Sequence, residues 1–185
     1  MSLLAVQDLR IEAVGLDHRR HSIVEALSFE VDDGEVVAIV GESGSGKSLT
    51  ALSLMQLLPS GVRIGGGSIR LNQRELIGCS DRDIASLRGG SIGMVFQEPM
   101  TALNPVFSIG DQIQEVLKRH RGMHRTEARD TALQLLERVA IPDPIRCLRC
   151  YPHELSGGMR QRVVTAIAVA GGPRLLIADE PTTAL

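Results

Sequence analysis

The chain has 185 residues, of which 43% are hydrophobic, so it can bury the core of one domain. Only 2% are aromatic, with no Trp, so that core must be aliphatic. The net charge of -2 excludes a general attraction to nucleic acid or anionic lipid. Three cysteines are too few for a disulfide framework, which favours a reducing compartment. We expect neither a secretory signal nor a membrane span, and therefore expect any membrane role to pass through a partner.

The start of the chain predicts two antiparallel strands followed by a buried strand. Residues 5–14 and 22–31 alternate apolar and polar side chains, as half-buried antiparallel strands do. Asp32, Asp33 and Gly34 predict a turn. Residues 35–40 are rich in β-branched side chains and are bounded by glycines, which predicts a strand buried on both faces.

The rest of the chain alternates helical patterns with short apolar strands. The predicted strands cover residues 68–72, 91–96 and 175–179. This order predicts an α/β fold with a parallel core, an antiparallel β layer in front of it and a helical insert. The predicted helices cover residues 47–58, stopped by Pro59 and Gly61, then 81–87 with Ser80 as cap, 109–119, 125–139 and 156–170.

Residues 41–48 match the phosphate-loop pattern G-x-x-x-x-G-K-[ST] at every position, between a predicted strand and a predicted helix. The glycines let backbone N–H groups point at phosphate oxygens, and the helix start adds partial positive charge. Lys47 is expected to bridge the β- and γ-phosphates of a nucleotide, and the Ser48 hydroxyl to ligate Mg²⁺. A flexible Gly/Ser turn is the alternative. The candidate nucleotide-binding residues here are Gly41, Glu42, Ser43, Gly44, Ser45, Gly46, Lys47, Ser48 and Leu49.

The strand predicted at residues 175–179 delivers two carboxylates, Asp179 and Glu180, at its C-terminal end. Ligands of parallel sheets bind at that end. Asp179 is expected to hold Mg²⁺, and Glu180 to orient and deprotonate an attacking water. A strand that ends in Asp-Glu is equally typical of a solvated turn, but phosphoryl transfer needs both a phosphate loop and a metal-holding acid, which favours the functional interpretation.

Two further motifs lie between the loop and the acids. Residues 155–162, LSGGMRQR, place Ser156 as the cap of a helix, with Gly157 and Gly158 allowing close backbone approach. Gln97 follows the strand predicted at 91–96. Together with the phosphate loop, this set resembles the ABC-type transport ATPases. Met159 stands where the family often has Gln, and the segments 98–105 (EPMTALNP) and 151–154 (YPHE) resemble the oligopeptide/dipeptide/nickel importer branch.

The resemblance assigns roles to these motifs. Ser156, Gly157 and Gly158 match the signature motif, which in the family reaches the γ-phosphate bound by a second subunit. Gln97 matches the glutamine that senses Mg²⁺ and the attacking water, so it joins Glu180 as a candidate catalytic residue and joins Ser48 and Asp179 as a candidate metal-site residue.

The resemblance also implies an architecture and a function. Residues 1–185 are expected to form one nucleotide-binding domain with a P-loop NTPase core, an antiparallel β subdomain and a helical subdomain inserted at about residues 95–160. The implied function is ATP hydrolysis, with ATP and Mg²⁺, coupled to import of peptides or related small solutes from the cytoplasmic face of the inner membrane. The implied partners are transmembrane permease subunits, a second ATP-binding subunit and, indirectly, an extracytoplasmic substrate-binding protein, with no nucleic acid.

Two alternatives remain open. One is a soluble ABC ATPase of DNA repair or translation, which residues 97–105 and the lack of a long coiled-coil insertion argue against. The other is a truncated nucleotide-binding remnant. The family continues after Leu185 with a D-loop aspartate and, farther on, a switch histidine. We therefore expect a domain incomplete at its C-terminus that hydrolyses ATP slowly or not at all.

The adenine contact departs from the family pattern. ABC ATPases usually stack the base on an aromatic side chain in the first β layer, where this chain has Ala13 and Val14. His18 or His21 are candidates to replace it, although loop histidines are more often simply solvated. Without a stacking platform we expect ATP and GTP to bind similarly.

Two other groups of residues are interpreted as structural. Cys147 and Cys150 have the spacing of half a zinc site, but no second Cys/His pair completes four ligands. The basic residues around Arg121, up to Arg125, lack interleaved aromatics and are expected to form a solvated turn between helices.

Overall fold

The computed structural model describes residues 2–15, 19–96 and 102–180. The chain divides into two compact units, Met1–Ser86 and Leu87–Leu185. The first unit is built on an antiparallel sheet. The second unit packs helices against a pair of parallel strands.

Four antiparallel strands form the sheet of the first unit. They are β1 (Leu4–Val14), β2 (Arg20–Val31), β3 (Val62–Leu71) and β4 (Arg74–Glu75), in the spatial order β2-β1-β3-β4. The alternation that predicts strands at 5–14 and 22–31 is therefore confirmed, and so is the antiparallel layer. The central strand β1 pairs with β2 along one edge and with β3 along the other. Its fully or almost fully buried side chains are Leu4, Val6, Leu9 and Ile11.

Strand β3 begins earlier than the sequence predicts, because it includes the three glycines before residue 68. The register of β1 against β3 shifts between Gln7 and Arg10, and Asp8 has a φ of 48°. A Cβ atom at Gly67 would lie 2.6 Å from the carbonyl oxygens of Gln7 and Asp8. The glycines therefore let the backbone of β3 follow a bulge in β1, which a pattern of apolar side chains cannot reveal.

Helix α1 (Lys47–Leu54) ends four residues before the predicted end at residue 58. Gln56 has a left-handed φ of 49°. Its N–H donates to Ser53 O and the Leu57 N–H donates to Leu52 O, at 3.1 and 2.9 Å. This pair of hydrogen bonds is a Schellman motif, and it satisfies the last carbonyls of the helix without glycine. The Gln56 side chain also donates to Leu76 O, which holds the unusual conformation in place.

The prediction of a buried strand at residues 35–40 is wrong. The preceding turn is confirmed, because the Glu35 N–H donates to Asp32 O at 3.2 Å and Gly34 has a φ of 76°. Beyond it, however, the backbone is irregular, and Val36 and Val40 are 95% and 88% exposed. A β-branched run supplies only a propensity, whereas a strand also needs a neighbour to pair with. In the described part of the first unit, no strand of the sheet pairs with it.

The second unit contains two parallel strands, β5 (Ile92–Val95) and β6 (Leu175–Ala178), paired from Ile92↔Leu175 to Val95↔Ala178. They confirm the strands predicted at 91–96 and 175–179 to within two residues at each end. All four residues of β5 are buried. A Cβ atom at Gly93 would lie 2.3 Å from the carbonyl oxygen of Ala168, so only glycine lets the neighbouring helix approach this strand so closely.

The helices are α2 (Asp81–Leu87), α3 (Ile109–Arg121), α4 (Arg125–Arg138), α5 (Pro144–Cys147) and α6 (Gly157–Ala170). Serine caps agree with the predictions, since Ser80 accepts from the Asp83 N–H at 3.2 Å. Helix α3 shows apolar side chains at four-residue spacing on one face, and α4 and α6 cover that face. The fully buried residues at the centre of this core include Ile109, Ile113, Leu117, Ala128, Ala132, Leu136 and Val163.

Candidate nucleotide-binding site

The phosphate loop curls tightly before α1. Gly44 and Gly46 have left-handed φ values of 82° and 90°, and Ser45 N–H donates to Glu42 O at 3.2 Å. Gly46 is the N-cap of α1, and a Cβ atom there would lie 2.5 Å from Cγ2 of Val24 on β2. Both the backbone conformation and the contact with β2 therefore require glycine at position 46.

Lys47 reaches back across this loop. Its Nζ donates to Gly41 O at 2.9 Å and to Glu42 O at 2.8 Å. An ammonium group has three N–H donors, so one remains for an anion placed inside the curl. The lysine therefore holds the start of the loop against its end and brings a positive charge to the same place.

Backbone N–H groups in the loop are available for a ligand. Those of Ser43, Gly44, Gly46 and Lys47 make no hydrogen bond to another described residue. Exposed amides at a helix start carry partial positive charge, which suits phosphate oxygens. The geometry fits the anion-binding role that the pattern predicts, and that role stays a prediction for each of residues 41–49.

The first turn of α1 is anchored by a buried threonine. The Thr50 N–H and Oγ1 both donate to Gly46 O, at 2.8 and 3.0 Å. Ser48 and Leu49 are half-buried in this turn. The Ser48 hydroxyl thus belongs to a well-held helix start, as a metal-ligating hydroxyl beside a phosphate requires. The sequence interpretation missed Thr50, because no local pattern shows that this polar side chain is buried.

The distal acids lie in the second unit, at the end of β6. The Asp179 N–H donates to Val95 O at 3.0 Å, which extends the β5–β6 ladder by one residue and holds Asp179 in place. Asp179 is half-buried and Glu180 is exposed. Glu180 has a left-handed φ of 45°, which is strained for a residue with a side chain. A defined carboxylate pair at the carboxyl end of a parallel strand is what the sequence predicts.

The signature segment is a capped helix start in the same unit. Ser156 is the N-cap of α6, and its hydroxyl accepts from the Met159 N–H at 3.4 Å. Gly157 and Gly158 have no atom within 4 Å of the place where a Cβ would stand, so their backbone can be approached. Glu154 accepts from the Tyr151 N–H at 2.7 Å, and Arg160 donates to Pro152 O at 2.8 Å. These bonds fix the preceding segment to the helix.

Some predicted residues lie outside the described part of the chain. Gln97 and His18 are among them, so the structure says nothing about their roles. Val14 and His21 are exposed at the adjoining ends of β1 and β2. The register pairs His21 with Ala13, one of the two residues that the resemblance places where the family stacks adenine. Of the two histidines considered, His21 is the one whose position can be related to that place.

The helical unit also carries a basic cleft of about 770 Å³ that sequence reasoning missed. Its four cations make no ion pair with a described residue, and its carboxylate, Asp111, accepts instead from the Ser108 hydroxyl at 2.6 Å. The basic residues up to Arg125 are interpreted from sequence as a solvated turn, whereas Arg125 lines this cleft together with cations from outside that run. The i,i+4 spacing of Arg125 and Arg129 was the available signal. The cations are Lys118, Arg125, Arg129 and Arg149.

The chain resembles known proteins over almost its whole length. The family model for "ABC transporter" matches residues 24–183. The oligopeptide transport ATP-binding protein AppD of Bacillus subtilis is 52% identical over 88% of the chain, and OppD of Salmonella typhimurium is 48% identical over 99% of it. The chain spans only about half the length of these relatives, 50% and 54%.

Solved structures of ATP-binding cassettes share the fold. A dimeric structure of the cassette MJ0796 in a post-hydrolysis state, bound to ADP and Pi, aligns with a TM-score of 0.86 at 27% identity. The alignment covers 98% of this chain and 75% of that one. Among the described residues, no helix combines the length and hydropathy of a membrane span. The predicted α/β class, with its antiparallel β layer and its helices, is confirmed, and the chain belongs to the ABC transporter family.

Proposed function

We propose that the chain is the ATP-binding part of a subunit that hydrolyses ATP to drive import of peptides or related small solutes. The phosphate loop carries this proposal, because four backbone N–H groups and the Lys47 ammonium surround one helix start. That arrangement favours a polyphosphate over a carboxylate or a neutral ligand, since several donors converge from different residues.

ATP is the substrate that this loop is expected to bind. The N–H groups of Gly44, Gly46 and Lys47 would donate to oxygens of the β- and γ-phosphates, and the third N–H of the Lys47 ammonium would do the same. Because Lys47 already bridges the carbonyls of Gly41 and Glu42, its charge needs little reorganisation on binding. The N–H group of Ser43 is a fourth donor, and Glu42, Ser45 and Leu49 contribute through the shape of the loop.

We also propose a Mg²⁺ ion, because the candidate residues carry the hard oxygen ligands that this ion takes. Ser48 offers a hydroxyl in the first turn of α1, and Asp179 offers a half-buried carboxylate held by the β5–β6 ladder. When bound, the ion neutralises charge on the phosphate oxygens. Gln97 completes the proposed metal group by resemblance alone.

Glu180 is the proposed base. Its exposed carboxylate follows directly on the held Asp179, and its backbone has a strained left-handed φ of 45°. A carboxylate placed in this way can accept the proton of a water that attacks the γ-phosphate. Gln97 is proposed to orient the same water.

The signature segment is proposed to complete the site of a second subunit. Gly157 and Gly158 offer approachable N–H groups at a helix start, and the Ser156 cap leaves that end of α6 exposed. The resemblance to a cassette solved as a dimer supports this assignment. The partner is either an identical chain or a related one.

A membrane partner is proposed as well, because the relatives are named as transport ATP-binding proteins. We propose transmembrane permease subunits, served by a substrate-binding protein on the outer side, and a peripheral position of this chain on the cytoplasmic face of the inner membrane. The basic cleft offers unpaired cations for an acidic segment of such a protein partner.

The proposed domain organisation keeps residues 1–185 as one nucleotide-binding domain. Helices α3 to α5 lie in sequence between β5 and α6, and α6 packs directly on β5 at Gly93. This supports a helical subdomain inserted at about residues 95–160.

The proposal is tested by calorimetric titration of the chain with Mg-ATP. Lys47→Ala removes the charge and the donor aimed at the phosphates, so affinity should fall about 10- to 100-fold, as expected for a hydrogen bond to a charged group. Lys118, the only other lysine, provides the matched control, because it lies in the basic cleft. Lys118→Ala should leave the affinity unchanged.

Equal affinity for Mg-ATP in the wild type and in Lys47→Ala would contradict the proposal. Equal losses in both lysine variants would show that general positive charge, and not the loop, attracts the nucleotide. Circular dichroism on each variant shows whether the fold is retained.

A further inference from the structure

Two cysteines share a short turn in the helical core, and the proposed function uses neither. Cys147 is the last residue of α5 and is 1% exposed. Cys150 follows three residues later and is half-buried against the same core. The third cysteine, Cys79, belongs to the first unit, where its thiol donates to Glu75 O at 3.0 Å.

The backbone brings the Cα atoms of the two cysteines within the range that a disulfide spans. The Cys150 N–H donates to Cys147 O at 3.0 Å, which closes a turn. Such a turn keeps its end Cα atoms within about 7 Å. A disulfide needs Cα atoms about 4.4–6.8 Å apart. Both side chains also pack on one core.

The environments of the two thiols differ. Burial, followed by the neighbouring Cys150 and Asp143, raises the pKa of the Cys147 thiol to about 11. Cys150 borders a surface cleft of about 400 Å³ that Arg146 and Arg149 also line. A small molecule can therefore reach Cys150 from this cleft, whereas Cys147 is buried beneath the surface.

We propose that Cys147 and Cys150 form a reversible dithiol–disulfide pair in which Cys150 reacts first. The oxidant is a small-molecule disulfide, RSSR. The Cys150 thiolate attacks one sulfur of RSSR, forms a mixed disulfide and releases RS⁻, which takes up a proton as RSH. Cys147 then loses its proton and attacks the Cys150 sulfur, which forms the protein disulfide and releases a second RSH. The protein loses two electrons and two protons, and RSSR gains both.

The turn also holds the beginning of α3. Gly110 N–H donates to Leu148 O, and Ile109 N–H donates to Cys150 O, each at 2.9 Å. A Cβ atom at Gly110 would lie 2.6 Å from Leu148 O, so the backbone of α3 at Gly110 packs closely against the backbone of the turn. The Cys150 thiol donates to Arg146 O at 3.4 Å, and forming the disulfide takes the thiol away from that carbonyl, so the turn that presents both other carbonyls shifts. Oxidation therefore loosens the first turn of α3, the helix that lines the basic cleft.

The test treats the native full chain with oxidised glutathione, followed by alkylation, trypsin and mass spectrometry without reduction. Trypsin cuts after Arg146, Arg149 and Arg160, so the disulfide joins peptide 147–149 to peptide 150–160. We expect this linked pair in the wild type and in Cys79→Ser. In Cys147→Ala we expect a stable glutathione adduct on Cys150, and in Cys150→Ser no adduct on Cys147.

A glutathione adduct on Cys150 that persists in the wild type would overturn the proposal, because Cys147 would then not resolve it. So would linkage that forms no faster in the native chain than in denaturant. Hydrogen exchange supplies a second readout that needs no variant. The Ile109 and Gly110 amides should exchange faster after oxidation and recover on reduction, and unchanged exchange would contradict the link to α3.

Discussion

Val36 and Val95 show how differently the two units treat similar stretches of sequence. Both residues lie in short runs rich in β-branched and aliphatic side chains, and both runs predict buried strands. Val95 is 3% exposed in β5, whereas Val36 is 95% exposed in an irregular segment before the phosphate loop. Both runs are apolar, and the difference that decides their structure is whether a neighbouring strand pairs with them.

In the second unit, β5 pairs with β6, and α6 packs on the face of β5. The side chains of this run are therefore buried, and its backbone forms hydrogen bonds with β6. Burying one valine is worth about 1.5–3 kcal/mol, but only where other atoms surround it. In the first unit, the functional loop follows the exposed run and is ordered by Lys47, Gly46 and Thr50 instead. A strand is therefore a property of its partners as much as of its own residues.

The largest effect is expected where α6 meets β5. Gly93→Ala places a methyl group 2.3 Å from the backbone carbonyl of Ala168, which cannot rotate away. We expect the free energy of unfolding to fall by about 3 kcal/mol, at the upper end for overpacking. Gly158→Ala is the control, because that site has open space. Chemical denaturation of both variants measures the difference, and similar stability would mean that the contact is not close.

The comparison of the two runs is tested directly by truncating one valine in each. Val95→Ala should lower the free energy of unfolding by about 2 kcal/mol, because it leaves a cavity in the core. Val36→Ala should change it by less than about 0.5 kcal/mol, as exposed sites do. Urea titration measures both variants. If Val36→Ala lowers the free energy of unfolding by more than about 1 kcal/mol, Val36 is buried, as the sequence predicts.

The phosphate loop offers a matched pair of glycines. Gly44→Ala and Gly46→Ala both force an alanine into a left-handed conformation, but only position 46 has a neighbour, Cγ2 of Val24 at 2.5 Å. Gly46→Ala should therefore cost about 1 kcal/mol more than Gly44→Ala. Adding Val24→Ala should remove that excess. Unfolding of the single and double variants measures it, and additive losses would refute the contact.

The smallest effect is expected at the edge of the first sheet. ATP and GTP should bind with affinities within about threefold of each other, because the chain lacks the aromatic side chain whose stacking on a base would contribute about 1–3 kcal/mol. His21→Ala should leave both affinities unchanged, with His124→Ala as the control from a helix cap. Calorimetry distinguishes the cases. A clear preference for ATP that disappears in His21→Ala would identify His21 as the stacking residue.

Sequence patterns alone determined most of the local structure. Alternation predicted β1 and β2, apolar spacing predicted α3, α4 and α6, and serine caps marked two helix starts because their hydroxyls accept from nearby N–H groups. The phosphate loop and the signature segment were recognisable for the same reason, since each motif acts through its own backbone within a few residues.

Tertiary structure decided whatever depends on residues distant in sequence. It determined that residues 35–40 form no strand, that β3 includes its glycines opposite the bulge at Asp8, and that α1 ends at a glutamine held by Leu76 O. It also gathered the cations of the basic cleft and closed the turn between Cys147 and Cys150 over the start of α3. Local patterns encode periodicity and capping, whereas pairing, close approach and shared clefts arise only when separate segments meet.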